Sequence, residues 1–273
     1  MNFIKCAFFG ALLCCGAAAR AEDYDARLGP VTGTVDVQAG GETDSWREAE
    51  SGTPLSAGDL LRTGADSSAE ITLDNGGVIR LGADSSLELS SLDTASSSLF
   101  LKLGSLVAKI EKEFLKKKGR FQVRTPAAVC AVRGTEFGVE HDEANGETTA
   151  GVFDEGRLSV ASTGKDGKTL AEGFVEKGRE VSLRAGTRAF RPGIMRRLLR
   201  HRLALEGVRG RLGALRKSWR RMDPEKRREL RKRFLARRAF RNARAAKRRA
   251  AESSEGTPRG RHRGVLHRRR LRN

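Results

Sequence analysis

Side chains that ordinarily do chemistry are thinly spread along this chain. Of its four histidines, His141 stands alone in a β-patterned region, with no cysteine or carboxylate cluster beside it at metal-ligand spacing. The others, His201, His262 and His267, fall in an arginine-rich C-terminal stretch. Three of the four cysteines (Cys6, Cys14, Cys15) lie within the first 15 residues. That leaves Cys130, which reads as a buried, inert thiol in an apolar strand. No G-x-S-x-G elbow, P-loop or dinucleotide fingerprint occurs. A glycosidase-type pair of carboxylates converges only in three dimensions, so spacing does not reveal one. The expectation is a protein that is not an enzyme and takes no cofactor and no metal. Anion recognition is the chemistry that remains. Arg133, next to Gly134, could grip a carboxylate in a bidentate fork, or pair with Glu136, Glu140 or backbone carbonyls. The structural role is favoured, because no companion polar cluster completes a ligand site.

The strongest signal is charge. The 273 residues carry 53 Lys+Arg and 34 Asp+Glu, a formal +19, but the balance is uneven. Residues 191–273 hold 31 Lys+Arg against 6 Asp+Glu, a net of +25, and everything before them nets −6. Two segments of different physics therefore meet near residue 190. The basic segment offers Arg196, Arg197, Arg200, Arg220, Arg221, Arg227, Arg228 and Arg231 as anion-binding candidates. Counterion release favours any dense polyanion as their partner. Interleaved aromatics for base stacking and zinc-ligand spacing are both lacking, so sequence-specific nucleic-acid reading is not expected, and nucleic-acid binding through the tail is the alternative function. Anionic lipid, lipopolysaccharide or wall polymer is the preferred target, and the acidic body is a second anion onto which the tail could fold.

The elements that present these arginines read as helices. Ile194, Leu198, His201, Leu205, Val208, Leu212, Leu215, Trp219 and Met222 follow heptad spacing, so one amphipathic helix over 194–222 is expected, docked on the body or on another helix as in a coiled coil. Membrane-interface binding is the rival use of the stripe. Gly207, Gly210 and Gly213 each cost about 1 kcal/mol relative to Ala, so the helix needs a surface for its stripe. Asp223-Pro224-Glu225 reads as N-cap, N1 proline and acidic first turn of a second helix reaching about Ala251. Residues 252–273 have the composition of a disordered basic tail.

At the other end, Lys5, the apolar run from Cys6 to Ala18 and the Ala19-Arg20-Ala21 site resemble a secretory signal peptide over residues 1–21. Cleavage would start the mature protein near Glu22, in the periplasm or outside the cell. Residues 22–190 then alternate apolar and polar residues in short runs punctuated by Gly, Asp, Asn and Ser, a strand-and-turn signature of a sandwich, barrel or solenoid. Asp74-Asn75-Gly76-Gly77, between Ala69/Ile71/Leu73 and Ile79/Leu81, is the clearest hairpin. Separate strands are expected at 99–103 and 105–110. The lysine-rich stretch 109–120 reads as a loop or short helix that blunts a sheet edge. Pro126 pushes Thr125 into extended geometry, Gly134 suits a bulge, and Thr135, Phe137 and Val139 then share one face.

Two stretches resemble the FecR-type periplasmic domain, a family of exported bacterial β domains. The first runs over 55–64 (LSAGDLLRTG) and 68–76. The second, 123–139, contains Thr125-Pro126 and Val132-Arg133-Gly134-Thr135-Glu136-Phe137, matching the family's TP…VRGT-x-F core, and is followed by the glycine turn at 155–160. The resemblance implies a mainly β, FecR-like sandwich or solenoid followed by the basic helical tail. It also implies a non-enzymatic binding or scaffolding module of the bacterial cell envelope, whose partner is an envelope protein or polymer. Cys130 stands where the resemblance suggests a small residue.

Overall fold

The computed structural model describes residues 26–73, 76–93, 96–111, 120–132, 134–164, 166–218 and 222–237. The signal-like N-terminus, Asp74-Asn75 of the hairpin turn, most of the lysine-rich loop, Arg133, Arg220, Arg221 and everything after residue 237 lie outside them.

Alternation along the chain makes strands, and the strands build two layers around one apolar interior. The outer layer, which carries the helices, contains β1 (Ala26–Thr32), β4 (Pro54–Leu55), β6 (Ser68–Leu73), β7 (Gly77–Leu81), β12 (Glu136–Asp142), β13 (Glu147–Val152), β16 (Arg179–Arg184) and β17 (Gly193–Ile194). The facing layer contains β2 (Val35–Gln38), β3 (Trp46–Glu48), β5 (Leu60–Thr63), β8 (Ser86–Leu92), β10 (Arg120–Arg124), β11 (Ala128–Val132), β14 (Arg157–Thr163) and β15 (Thr169–Glu176). The long β9 (Ser96–Ile110) belongs to both. Pairing runs β4-β1-β6-β7-β9-β12-β13-β16-β17 in one layer and β3-β2-β5-β8-β9-β10-β11-β14-β15 in the other. Neighbours are antiparallel except β9 with β10. The result is an open two-layer β sandwich, mainly β as the sequence implied.

The expectation of separate strands at 99–103 and 105–110 is corrected by β9. Its first half pairs with β8 and β10, its second half with β7 and β12. Gly104, at φ +89°, is the joint, and a Cβ there would lie 2.1 Å from Ser85 Oγ. Inward-facing residues are Leu99 and Leu101 before it and Leu106, Ala108 and Ile110 after it, so the kink resets which parity faces the core. A non-glycine residue at this left-handed position would carry both backbone strain and a collision.

The interior is filled by residues such as Leu28, Ile71, Ile79, Leu87, Leu101, Phe121, Val139 and Val160, and buries Cys130 completely. Burial pushes the Cys130 thiol up to about 12, which makes it inert. Phe137 of the expected motif is part of this core.

After β16 the chain turns back over the sandwich. Helicity begins later than the heptad spacing predicts, because the backbone of Gly193–Ile194 pairs with β16 and Met195 N donates to Gly178 O at 2.9 Å. A 3-10 turn, Leu198–His201, leads into α1 (Arg202–Ser218), and α2 spans Pro224–Ala236. Asp223 caps α2 as expected, its Oδ1 accepting from Glu225 N and Lys226 N at 3.0 Å each. The further reach of this helix toward Ala251 lies outside the described residues.

Candidate functional site: a basic helical strap on an acidic sheet

Where the strap lands is set by parity along the outer layer. On β12, Phe137 and Val139 point into the core, which turns Glu136, Gly138 and Glu140 to the opposite face. Val78 of β7, Val107 of β9 and Phe153 lie on that face and form a second apolar cluster with Met195, Leu198, Leu205, Val208 and Leu212. Leu198, Leu205, Val208 and Leu212 of the heptad stripe thus dock on the sandwich, whereas Ile194 is exposed and Trp219 lies outside the described residues. Burying each such side chain contributes about 1.5–3 kcal/mol, enough together to outweigh the three glycines of α1.

Two paired glycines make the seat. Gly138 and Gly151 are register partners on β12 and β13. A Cβ on Gly151 would fall 2.8 Å from Leu198 Cδ1, and one on Gly138 would fall 3.2 Å from the Phe153 ring. Leaving both bare lets Leu198 settle onto the backbone. The turn that carries it is fixed by Glu180 of β16, whose carboxylate accepts the backbone N–H groups of Arg196, Arg197 and Leu198 at 3.0 Å.

Around this apolar seat, buried carboxylates of the sheet meet arginines of the strap. Glu140 accepts from Arg197 Nε at 2.9 Å, from Arg200, and lies 3.2 Å from His201 Nε2. Burial alone would raise the Glu140 pKa, but hydrogen bonds from His201, Arg200 and Arg197 outweigh it and hold the carboxyl at about 2. Arg197 also reaches Glu147 at 2.8 Å. Further along, Glu136 accepts from Lys109 Nζ and Arg209 Nε, both at 2.8 Å. It too is pushed up by burial and pulled further down by those two cations. Arg209 bridges to Asp154 at 2.6 Å, Arg202 meets Asp154 at 2.7 Å, and Arg211 meets Glu70 at 3.2 Å. A further pair joins α2 to the turn between β4 and β5. Asp59, completely buried, takes both Arg231 nitrogens at 2.7 and 2.6 Å while its oxygens also accept from Gly40 N and Ser56 N. Phe234 of α2 enters the main core, and Arg47 Nε donates to the Leu235 and Arg237 carbonyls.

The sequence-predicted arginines therefore divide. Arg197, Arg200 and Arg231 are held by carboxylates of the sandwich. Arg227 donates to Leu55 O at 2.5 Å and Ala26 O at 3.5 Å. Arg196 and Arg228 are exposed. In the 125–137 motif, Thr125 and Thr135 are buried turn-formers and Pro126 is exposed. Thr125 Oγ1 accepts from Ala128 N at 3.0 Å and touches Thr148 Oγ1 at 2.8 Å, which in turn meets His141 Nδ1 at 2.9 Å. Burial pushes His141 below its ordinary value. Gly134 takes φ +62°, and Gly156, at φ +85°, lies so close to Thr135 that a Cβ would come within 2.6 Å of it. Missed in the sequence were Glu70, Glu136, Glu140, Asp59 and Glu180 as receivers, and the Gly138/Gly151 seat. The available signal was Glu136-x-Gly138-x-Glu140, all on one strand face.

No group of three or more His, Cys, Asp or Glu able to hold a metal occurs among the described residues. An open cleft of about 390 Å³ beside Glu140 is lined by Asp84, Ser105, His141, Asp142 and Arg200 among others. No helix among the described residues is long and apolar enough to cross a membrane.

The molecule is a two-layer β sandwich with a basic helical strap folded onto its outer sheet. Residues 59–157, from Asp59 to Arg157, match the family model described as FecR protein. Two solved structures, each described as an anti-sigma factor from Parabacteroides distasonis, are similar to the chain at 14% identity. One, at TM-score 0.43, covers 51% of this chain and 61% of its own. The other, at TM-score 0.44, covers 53% and 64%. The chain thus spans less than two thirds of either structure. Among curated proteins, none matches.

Proposed function

We propose that this is a non-enzymatic, exported module of the bacterial cell envelope, a FecR-type sandwich that binds or scaffolds an envelope partner and is tethered to an anionic surface by its basic C-terminal segment. The observation that carries the reading is the division of cations along the strap. Arginines facing the sandwich are matched by Glu70, Glu136, Glu140, Asp154 and Asp59, while Arg196, Lys217, Lys226, Arg228 and Lys232 face outward. Folding thus neutralises one side of the basic segment and leaves the other for an external anion, anionic lipid, lipopolysaccharide or wall polymer. The FecR match supports an envelope regulatory setting. Cell fractionation with mass-spectrometric determination of the N-terminus tests it. Mature chain beginning near Glu22 in the envelope fraction is expected. Uncleaved chain recovered with ribosomes or chromosome would replace the reading with nucleic-acid binding.

A further inference from the structure

Each layer of the sandwich ends in two edge strands, and three of these four are short. β3 and β4 are also met by α2: Arg237 donates to Glu48 O at 3.4 Å, Arg227 to Leu55 O at 2.5 Å and Arg231 to Pro54 O at 3.1 Å. β17, at the far edge of the outer layer, is two residues long. β15, at the far edge of the facing layer, runs for eight residues and contains neither proline nor lysine, the residues that usually blunt an edge. Its pairing with β14 shows which of its backbone groups are left over. Thr163 N donates to Ala127 O at 3.1 Å, so that residue turns toward β11, and Val160 and Leu158, of opposite parity, turn toward their partners Gly173 and Val175. Ala171 N, directed at Ser162 Oγ at 3.1 Å, points the same way. Glu172 and Phe174 alternate with these residues, so their N–H and C=O groups point away from β14, where no hydrogen bond from another described residue meets them.

Side chains on the outer face of this edge alternate in kind. Glu172, Phe174 and Glu176 are all exposed, Phe174 at 50%. Residues of β14 hold two of them in place: Ser159 Oγ donates to Glu172 Oε1 at 3.0 Å, and the Arg157 guanidinium lies 4.6 Å from the centre of the Phe174 ring. On the inner side Phe190 packs against Gly173, where a Cβ would come within 2.4 Å of its ring. We infer that β15 is a docking edge for an extended basic segment of a partner protein. The segment adds as a further strand, exchanges N–H and C=O bonds with Glu172 and Phe174, and sets basic side chains opposite Glu172 and Glu176 and an apolar one opposite Phe174. The inference rests on the reading of the sandwich as a module that binds an envelope partner, and names the surface and the kind of segment it takes. Charge decides against a second copy of this chain. Antiparallel self-pairing centred on Glu172 or Phe174 sets two carboxylates opposite each other, and centring it on Gly173 sets each Phe174 opposite a Glu172. A basic strand with a central apolar residue matches all three side chains.

Full-length chain is titrated into the fluorescein-labelled peptide Thr-Arg-Thr-Val-Thr-Arg-Thr, whose pattern reads the same in either strand direction, and binding is followed by anisotropy. The parent is expected to bind it, with amide exchange slowed at Glu172 and Phe174. The double variant Glu172→Lys, Glu176→Lys is expected to bind at least tenfold more weakly, whereas Glu206→Lys, at an exposed acid of α1, leaves binding unchanged. Phe174→Pro deletes an N–H that β14 does not use, so it should keep the circular dichroism of the parent and also bind at least tenfold more weakly. Should that variant fail to fold, the charge reversal and the exchange pattern decide. Absence of binding by the parent, equal binding by the double variant, or slowed exchange only outside β15 overturns the inference. So does sedimentation of a dimer that Phe174→Pro dissociates, which would put a second copy on the edge. None of these outcomes bears on export, which fractionation decides separately.

Discussion

Replacing Glu140 by Gln tests whether charge holds the strap to the sheet. The residue is only 6% exposed, and its carboxyl is held at about 2 instead of the ordinary 4.5. At 1.36 kcal/mol for each tenfold change in proton affinity, that gap corresponds to about 3 kcal/mol of folding stability. Because the folded value is the depressed one, the contribution is complete above about pH 4.5 and disappears as pH falls toward about 2. Glu140→Gln is expected to lower stability at pH 7 by about 3 kcal/mol, since the amide leaves Arg200 and His201 without their carboxylate while Arg197 keeps Glu147. Urea unfolding followed by circular dichroism at pH 7, 5, 4 and 3 measures both proteins. The parent should lose ground on the variant across the acid range until the two converge. Glu136 and Asp154, also depressed by their arginines, contribute to the acid slope of both proteins and so cancel in the comparison. Equal stability at pH 7 together with parallel acid limbs would refute the reasoning.

Gly151→Val should push Leu198 off its seat, because the first added carbon already falls 2.8 Å from Leu198 Cδ1 and 3.0 Å from Arg179 O. A cost of about 1–3 kcal/mol is expected, with faster amide exchange confined to residues 195–212 while the sandwich stays protected. Arg231→Ala strands the buried Asp59 carboxylate and should cost about 3–5 kcal/mol, whereas Arg228→Ala, an exposed position on the same helix, should stay within about 0.5 kcal/mol; thermal unfolding of the pair separates docking from bulk charge. Cys130 should resist alkylation at pH 8 in the native protein and react only after denaturation, as read by peptide mapping.

Much of the sandwich was legible because parity writes directly into sequence. Ala69/Ile71/Leu73 and Ile79/Leu81 alternate, and they are the inward residues of β6 and β7. The same holds for Phe137 and Val139. What misled was Gly104: glycine ordinarily ends a strand, and here it carries one strand from layer to layer. The short strands β3, β4 and β17 have too few residues to show a period, and they exist because neighbours accept their backbone groups. Asp223-Pro224 marked the start of α2 correctly, since a cap is a local hydrogen-bond pattern. The start of the preceding helix was misplaced because pairing of Gly193–Ile194 with β16 overrides a heptad pattern that begins at Ile194. Of the candidate site, Arg197, Arg200 and Arg231 could be named from sequence but not their carboxylate partners, which lie 50 to 172 residues away in the chain.

By itself, then, the sequence determined the alternation that makes a mainly β body, the FecR-like segment around Thr125-Pro126 and Gly134-Thr135, and the charge contrast between that body and its C-terminal segment. All of these are local or compositional properties. Only the tertiary structure decided that Leu198, Leu205, Val208 and Leu212 of the heptad stripe face a sheet, that Gly138 and Gly151 lie side by side to receive Leu198, and that particular arginines meet Glu136, Glu140 and Asp59. The reason is geometric: burial and ion pairing depend on which distant residues share a face and a distance of a few ångströms, and a linear spacing rule carries no information about either.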